Sequence, residues 1–148
     1  MSLKNKLLED LKQSMKEKDT IKKSSITMVR AAILQIEKDN KIELTDDDII
    51  EVIAKQVKQR NDALKEFKKA DRQDLVEQTN AEIEVLTKYL PQQLSEDEVD
   101  QIVIKTIGEV GASSMKDMGK VMSAIMPKVK GRADGALVNK LVKQYLQG

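Results

Sequence analysis

Apolar residues recur at helical spacing along almost the whole chain. Leu3, Leu7, Leu11 and Met15 fall every four residues behind Ser2, a side chain suited to an N-cap. A second stretch, from about Thr20 to Asn40, carries the stripe Ile21, Ser25, Met28, Val29, Ala32, Ile33 and Ile36. Thr45 opens a third helix with Asp46, Asp47 and Asp48 in its first turn, where carboxylates oppose the positive end of the dipole. Its stripe is Ile49, Ile50, Ile53, Val57, Leu64 and Phe67. The stripe lapses over Lys58 to Asp62, which predicts that this segment projects from the core. Asp71 is the expected cap of a fourth helix carrying Leu75, Val76, Ile83, Leu86 and Leu90.

Pro91 breaks that run, because a residue before proline avoids helical backbone. Ser95 with Glu98 three residues on forms a capping box, so a domain boundary is expected between Pro91 and Ser95. The fifth helix shows Val99, Ile102, Val103 and Ile107. Ser114 is the expected cap of a sixth, with Met118, Val121, Met122, Ile125 and Val129 on its apolar face. Lys128 to Gly135 reads as a loop with glycine hinges. Asp134 caps a seventh helix carrying Leu137, Val138, Leu141, Val142 and Tyr145. The expected fold is all-α: a multihelical N-terminal module over residues 1–92, then a small three-helix C-terminal module over 93–148.

Composition narrows the chemistry. The 148 residues include no Cys, no His and no Trp. Disulfides, thiolate zinc sites, Cys nucleophiles and Ser-His-Asp machinery are therefore excluded. Three aromatic residues, Phe67, Tyr89 and Tyr145, cannot build a stacking platform for single-stranded nucleic acid. Asp46-Asp47-Asp48 fan out about 100° apart on a helix and do not converge on one cation. Gly108-Glu109-Val110-Gly111 lacks the strand and lysine of a phosphate loop, and Ser113 and Ser114 lack a base and an oxyanion loop. No catalytic residue, metal or cofactor is expected. No apolar run reaches the roughly 18 residues that span a bilayer, and the charged N-terminus is not an apolar leader, so no membrane partner and a cytoplasmic location are expected.

The net charge of +1 hides a pattern. Residues 1–30 hold eight bases and four acids, residues 31–90 hold ten and fourteen, and from Lys116 onward there are seven bases and two acids. That last segment is a candidate reader of phosphate backbone. Lys116 and Lys120, four apart, share a face of the sixth helix, with Gly119 between them. Lys128, Lys130 and Arg132 occupy the loop, where Gly131 and Gly135 free backbone N–H groups. Lys140 and Lys143 lie on the polar side of the seventh helix. Such a surface senses shape and charge rather than base edges. The plainer alternative is a solvated helix face. Gly119 inside a helix costs about 1 kcal/mol relative to Ala, which predicts a close neighbour such as the fifth or seventh helix. Met115, Met118, Met122 and Met126 suit core filling or an adaptable protein-binding groove. The N-terminal lysines Lys4, Lys6, Lys12, Lys16, Lys18, Lys22 and Lys23 suit a wet helix face or a second contact.

The run Lys116-Asp117-Met118-Gly119-Lys120-Val121-Met122, the run from Met126 to Gly135, Tyr89-Leu90-Pro91-Gln92-Gln93-Leu94-Ser95 and Arg72-Gln73-Asp74-Leu75 together closely resemble the YqeY family, over essentially the whole chain. The resemblance implies an all-helical protein whose C-terminal part is similar to the tail domain of the B subunit of glutamyl/aspartyl-tRNA amidotransferase, a tail that contacts the tRNA body. A similar module is attached to some glutaminyl-tRNA synthetases. The implied role is a non-catalytic tRNA-binding accessory module, with Lys116, Gly119, Lys120, Lys128, Lys130, Gly131, Arg132 and Gly135 as contacts. A module docking on an aminoacyl-tRNA synthetase or amidotransferase subunit is the alternative. The family also carries the label of a carbon–nitrogen ligase with glutamine as amido donor. That chemistry belongs to the multi-domain enzyme, and this chain has no ATP site or glutaminase triad to support it.

Overall fold

A computed structural model describes residues 2–147. Its elements are α1 (Leu3–Glu17), α2 (Thr20–Asn40), α3 (Asp46–Lys69), α4 (Gln73–Thr87), α5 (Glu96–Val110), a single 3₁₀ turn (Met115–Asp117), α6 (Met118–Val129) and α7 (Gly135–Gln147). Among the described residues there is no strand. The fold is all-α, as the periodicity predicts. The chain divides into two compact units, Met1–Leu90 and Pro91–Gly148.

In the first unit α1 to α4 enclose Leu7, Leu11, Ile26, Val29, Ile33, Ile49, Ile53 and Leu86. Each such side chain contributes about 1.5–3 kcal/mol on leaving water. The inward face of α2 differs from the expected stripe. Ser25, Ile26, Val29 and Ile33 are buried, whereas Met28 is half exposed. The acidic start of α3 is spent on structure. Thr45 and Asp48 form a reciprocal capping box, and Asp46 accepts the Leu3 N–H at 3.0 Å, which fixes the start of α1. Glu37 accepts both the Leu44 N–H at 2.9 Å and the Lys4 ammonium at 2.6 Å, closing the turn after α2.

The expected projection at Lys58 to Asp62 is not found. Gln56 and Arg60 are buried and continue the α3 stripe with polar side chains. The Arg60 Nε donates to Glu82 on α4 at 3.0 Å, its NH1 donates to the Gln56 carbonyl at 3.3 Å, and Gln56 Nε2 donates to the Met28 carbonyl on α2 at 3.3 Å. A hydrophobicity pattern misses this because the stem of arginine packs as an apolar chain while its head finds partners. Asp71 does not cap α4. It takes a left-handed backbone, φ 55°, at the end of α3, where the Asp71 and Arg72 N–H groups return to the Lys68 and Phe67 carbonyls. That is a Schellman ending, which suppresses helix for one residue and turns the chain into α4.

In the second unit α5, α6 and α7 enclose Val99, Val103, Val121, Ile125, Val129, Val138, Leu141, Val142 and Leu146. Ser95 and Glu98 form the expected capping box. Leu146 takes the buried place expected of Tyr145, which is 43% exposed and donates its hydroxyl to Asp100 at 2.8 Å.

Candidate nucleic-acid interface

The basic residues of the second unit divide into groups with different commitments. Lys116 lies in the 3₁₀ turn rather than on α6, so Lys116 and Lys120 do not share one regular helix. Both are exposed. Ser114 makes no side-chain cap at the turn; instead the Asp117 carboxylate accepts the Ser113 N–H at 2.9 Å. That bond, then a bond from the Ser114 N–H and last the positive charge of Lys120, hold the Asp117 carboxyl below its ordinary range.

Gly119 sits in the first turn of α6 and is exposed. A Cβ built there meets nothing within 4 Å. The expected close neighbour is absent, so the cost of this glycine in a helix has no internal packing reason.

Lys128 is not in a loop. It occupies the last turn of α6, a turn that includes Pro127 and the buried Val129. Its ammonium donates to Glu109 at 2.9 Å and to the Thr106 hydroxyl at 3.1 Å, both on α5. The bond to Lys128 and then its charge depress the Glu109 carboxyl. Lys128 is therefore turned onto α5 and already neutralised.

Residues 130–134 form a stapled turn rather than a hinge. The Leu94 N–H donates to the Arg132 carbonyl at 2.8 Å, Gln93 Nε2 to the Gly131 carbonyl at 2.8 Å, and Arg132 Nε to the Gln92 carbonyl at 3.3 Å. Arg132 also faces Glu98, whose carboxyl is lowered first by its bonds to Ser95 and last by Arg132. Gly131 has a left-handed backbone, φ 72°, which a side chain disfavours. Gly135 has open space around it and simply begins α7. The Arg132 and Ala133 N–H groups return to the Val129 carbonyl, the Lys130 N–H to Met126 and the Ala136 N–H to the Asp134 carboxylate, so these four are not free to cradle a phosphate. Asp134 does cap α7, accepting the Ala136 N–H at 2.9 Å.

Lys130 and, on α7, Lys140 and Lys143 are exposed. A helix of 12 residues is about 18 Å long. The structure thus places Lys116 and Lys120 at one end of α6 and Lys128 and Lys130 at the other, and does not gather all the predicted bases at one point. The residues that sequence reasoning missed are Thr106 and Glu109, which occupy Lys128, and Gln92 and Gln93, which hold the turn. One signal pointed to the second pair: the Pro91-Gln92-Gln93-Leu94 and Gly131-Arg132 segments are both among the family-like motifs.

The family model described as Yqey-like protein matches residues 4–146, and the chain belongs to this family. Curated relatives share the name "Altered inheritance of mitochondria protein 41, mitochondrial". The protein of that name from Pyrenophora tritici-repentis is 32% identical over 144 residues, covering 95% of this chain and 79% of its own length. The Saccharomyces cerevisiae (strain YJM789) protein is 30% identical over 146 residues, covering 92% and 79%. The Candida glabrata protein is 39% identical over 90 residues, 57% of this chain and 47% of that protein. These names overturn the expectation of a cytoplasmic location. That expectation rested on a missing apolar leader, which bears on secretion alone and does not separate one interior compartment from another.

Proposed function

We propose that this chain is a non-catalytic accessory module that holds the phosphate backbone of tRNA, with the start of α6 as its contact point. The observation that carries the reading is Gly119. It is exposed, lies in a helical first turn, is flanked by the exposed Lys116 and Lys120, and has no neighbour that a Cβ would touch. A glycine where internal packing does not require one lets an outside backbone approach closely. Lys130, Lys140 and Lys143 extend the charge, while Lys128 and Arg132 serve the module's own architecture. The similarity to the amidotransferase B-subunit tail that the family resemblance implies points to the same role.

The test is a titration with bulk tRNA at two salt concentrations, using the wild type, Gly119→Ala and the pair Lys116→Glu/Lys120→Glu. Five engaged phosphates give a log–log salt slope of roughly −4. Gly119→Ala raises the melting temperature and weakens binding, two effects of opposite sign that misfolding cannot produce. Binding that is absent at low salt, or unchanged in both variants, refutes the reading. Met115 and Met126 are 38% and 41% exposed, which supports a second reading as a docking module for a synthetase or amidotransferase subunit. Co-purification that survives high salt and nuclease separates that reading from the first.

A further inference from the structure

A cavity of about 400 Å³ in the first unit is lined by Lys6, Asp10, Gln13, Asp19, Lys22, Val85, Lys88 and Tyr89. Its walls come from α1, the start of α2 and the end of α4. Three lysines and two aspartates are among its lining residues. The carboxylates are largely committed. Asp10 accepts from Lys6 at 3.2 Å through Oδ1 and from the Tyr89 hydroxyl at 2.5 Å through Oδ2. Asp19 caps α2, accepting the Lys22 N–H at 3.1 Å through Oδ1. The side chains of Lys22 and Lys88, by contrast, have no partner among the described residues.

Two of the lysines thus have no side-chain partner, while both oxygens of Asp10 and one of Asp19 are engaged. Asp10 is fixed as well: it is buried, and its bond from Tyr89 spans 79 positions of the chain. We propose that this cavity binds a phosphate-bearing anion, held by the Lys22 and Lys88 ammoniums with Lys6 as a shared third. Ammonium is a point donor that suits phosphate oxygens without fixed fork geometry. The volume exceeds that of a single phosphate and admits a diphosphate or a phosphate with its attached sugar. The site lies in the N-terminal unit and does not rest on the α6 reading.

The experiment uses the full chain, inorganic pyrophosphate as the small probe and a short single-stranded RNA as the polymeric one, at ionic strength matched with sodium chloride. Lys22→Gln/Lys88→Gln is compared with Lys12→Gln/Lys16→Gln, which removes the same charge from exposed positions outside the cavity. The expected result is at least about a tenfold loss of affinity in the first pair and little change in the second. Loss confined to pyrophosphate identifies a free phosphorylated small molecule as the ligand, and loss that extends to RNA identifies backbone phosphate. The proposal is overturned when neither probe loses affinity in Lys22→Gln/Lys88→Gln, or when the outer pair costs as much. Equal melting temperatures across the variants show that folding is untouched. Pyrophosphate binding is also expected to be unaffected by Lys116→Glu/Lys120→Glu, so the fate of this proposal is read separately from that of the α6 reading.

Discussion

Among the described residues, three with side chains hold left-handed backbone: Lys18 at φ 57°, Lys41 at φ 54° and Asp71 at φ 55°. Each ends a helix, a position where glycine is the usual choice because the left-handed conformation crowds a Cβ against the following carbonyl. Lys18 is exposed, its N–H returns to the Met15 carbonyl at 3.3 Å, and the Asp19 N–H returns to Ser14 at 2.9 Å. Lys18→Gly is expected to stabilise the protein by about 0.5–1 kcal/mol, since it relieves the strain and leaves those bonds in place. Chemical denaturation measures this, and a midpoint that falls instead sinks the argument. The turn chemistry was partly invisible in the sequence. Lysine and aspartate are not typical of the left-handed position that ends a helix, and only the return of the next amides forces them into this conformation.

At the scale of elements, two polar devices hold helices together. Arg60 ties α3 to Glu82 on α4 in a region where its side chain is 10% exposed and that of Glu82 is 20%. Removing one partner strands the other. Arg60→Ala is expected to cost about 3–5 kcal/mol, and Arg60→Met with Glu82→Leu much less, because two apolar chains of similar volume replace the pair without leaving a charge behind. A thermodynamic cycle on these variants decides the matter, and a double variant as unstable as the single one refutes it. In the second unit Gln93 holds Gly131 and Leu94 holds Arg132. Gln93→Ala is expected to speed amide exchange at Leu94 and residues 131–133 while leaving α7 protected. Uniform exchange across the unit would instead mean that this bond supports the whole fold. Neither device follows a hydrophobic pattern, which explains why the α3 stripe seemed to lapse and why the stapled turn resembled a hinge.

For the whole molecule, the absence of histidine leaves no side chain whose ordinary titration falls between pH 5 and 8. The charge-linked limits of stability lie outside that range. Glu37, Asp74, Glu98, Glu109 and Asp117 all have lowered carboxyl pKa values, each held chiefly by a hydrogen bond: Lys4, Arg72, the Ser95 backbone, Lys128 and the Ser113 backbone in turn. A depressed folded pKa contributes stability above the unfolded value and loses it as pH falls through the folded one. An acid limb is therefore expected below about pH 5. Tyr89 is raised, first by burial and then by its bond to Asp10. Its contribution is present below the ordinary value of 10.0 and is lost as pH rises from there toward the folded pKa. Melting temperatures of wild type and Tyr89→Phe, compared from about pH 8 to pH 11, test the alkaline limb. The variant starts lower, having lost the Asp10 bond, and is expected to fall less steeply. Parallel curves would assign the alkaline loss to other groups.

The sequence by itself determined the fold class, the order and approximate extent of the helices, the capping box at Ser95 and the family. Each of these rests on local periodicity, on side chains that bond their own backbone within a turn, or on motif. Only the tertiary structure decided which lysines are available. Lys116 and Lys128 look alike in a list of charges. One stands exposed on a 3₁₀ turn, and the other is spent on Glu109, 19 residues away. The same holds for Arg60, Lys22 and Lys88. A charge becomes structural or available according to what the fold places within about 3 Å of it, and partners distant along the chain leave no mark in local spacing.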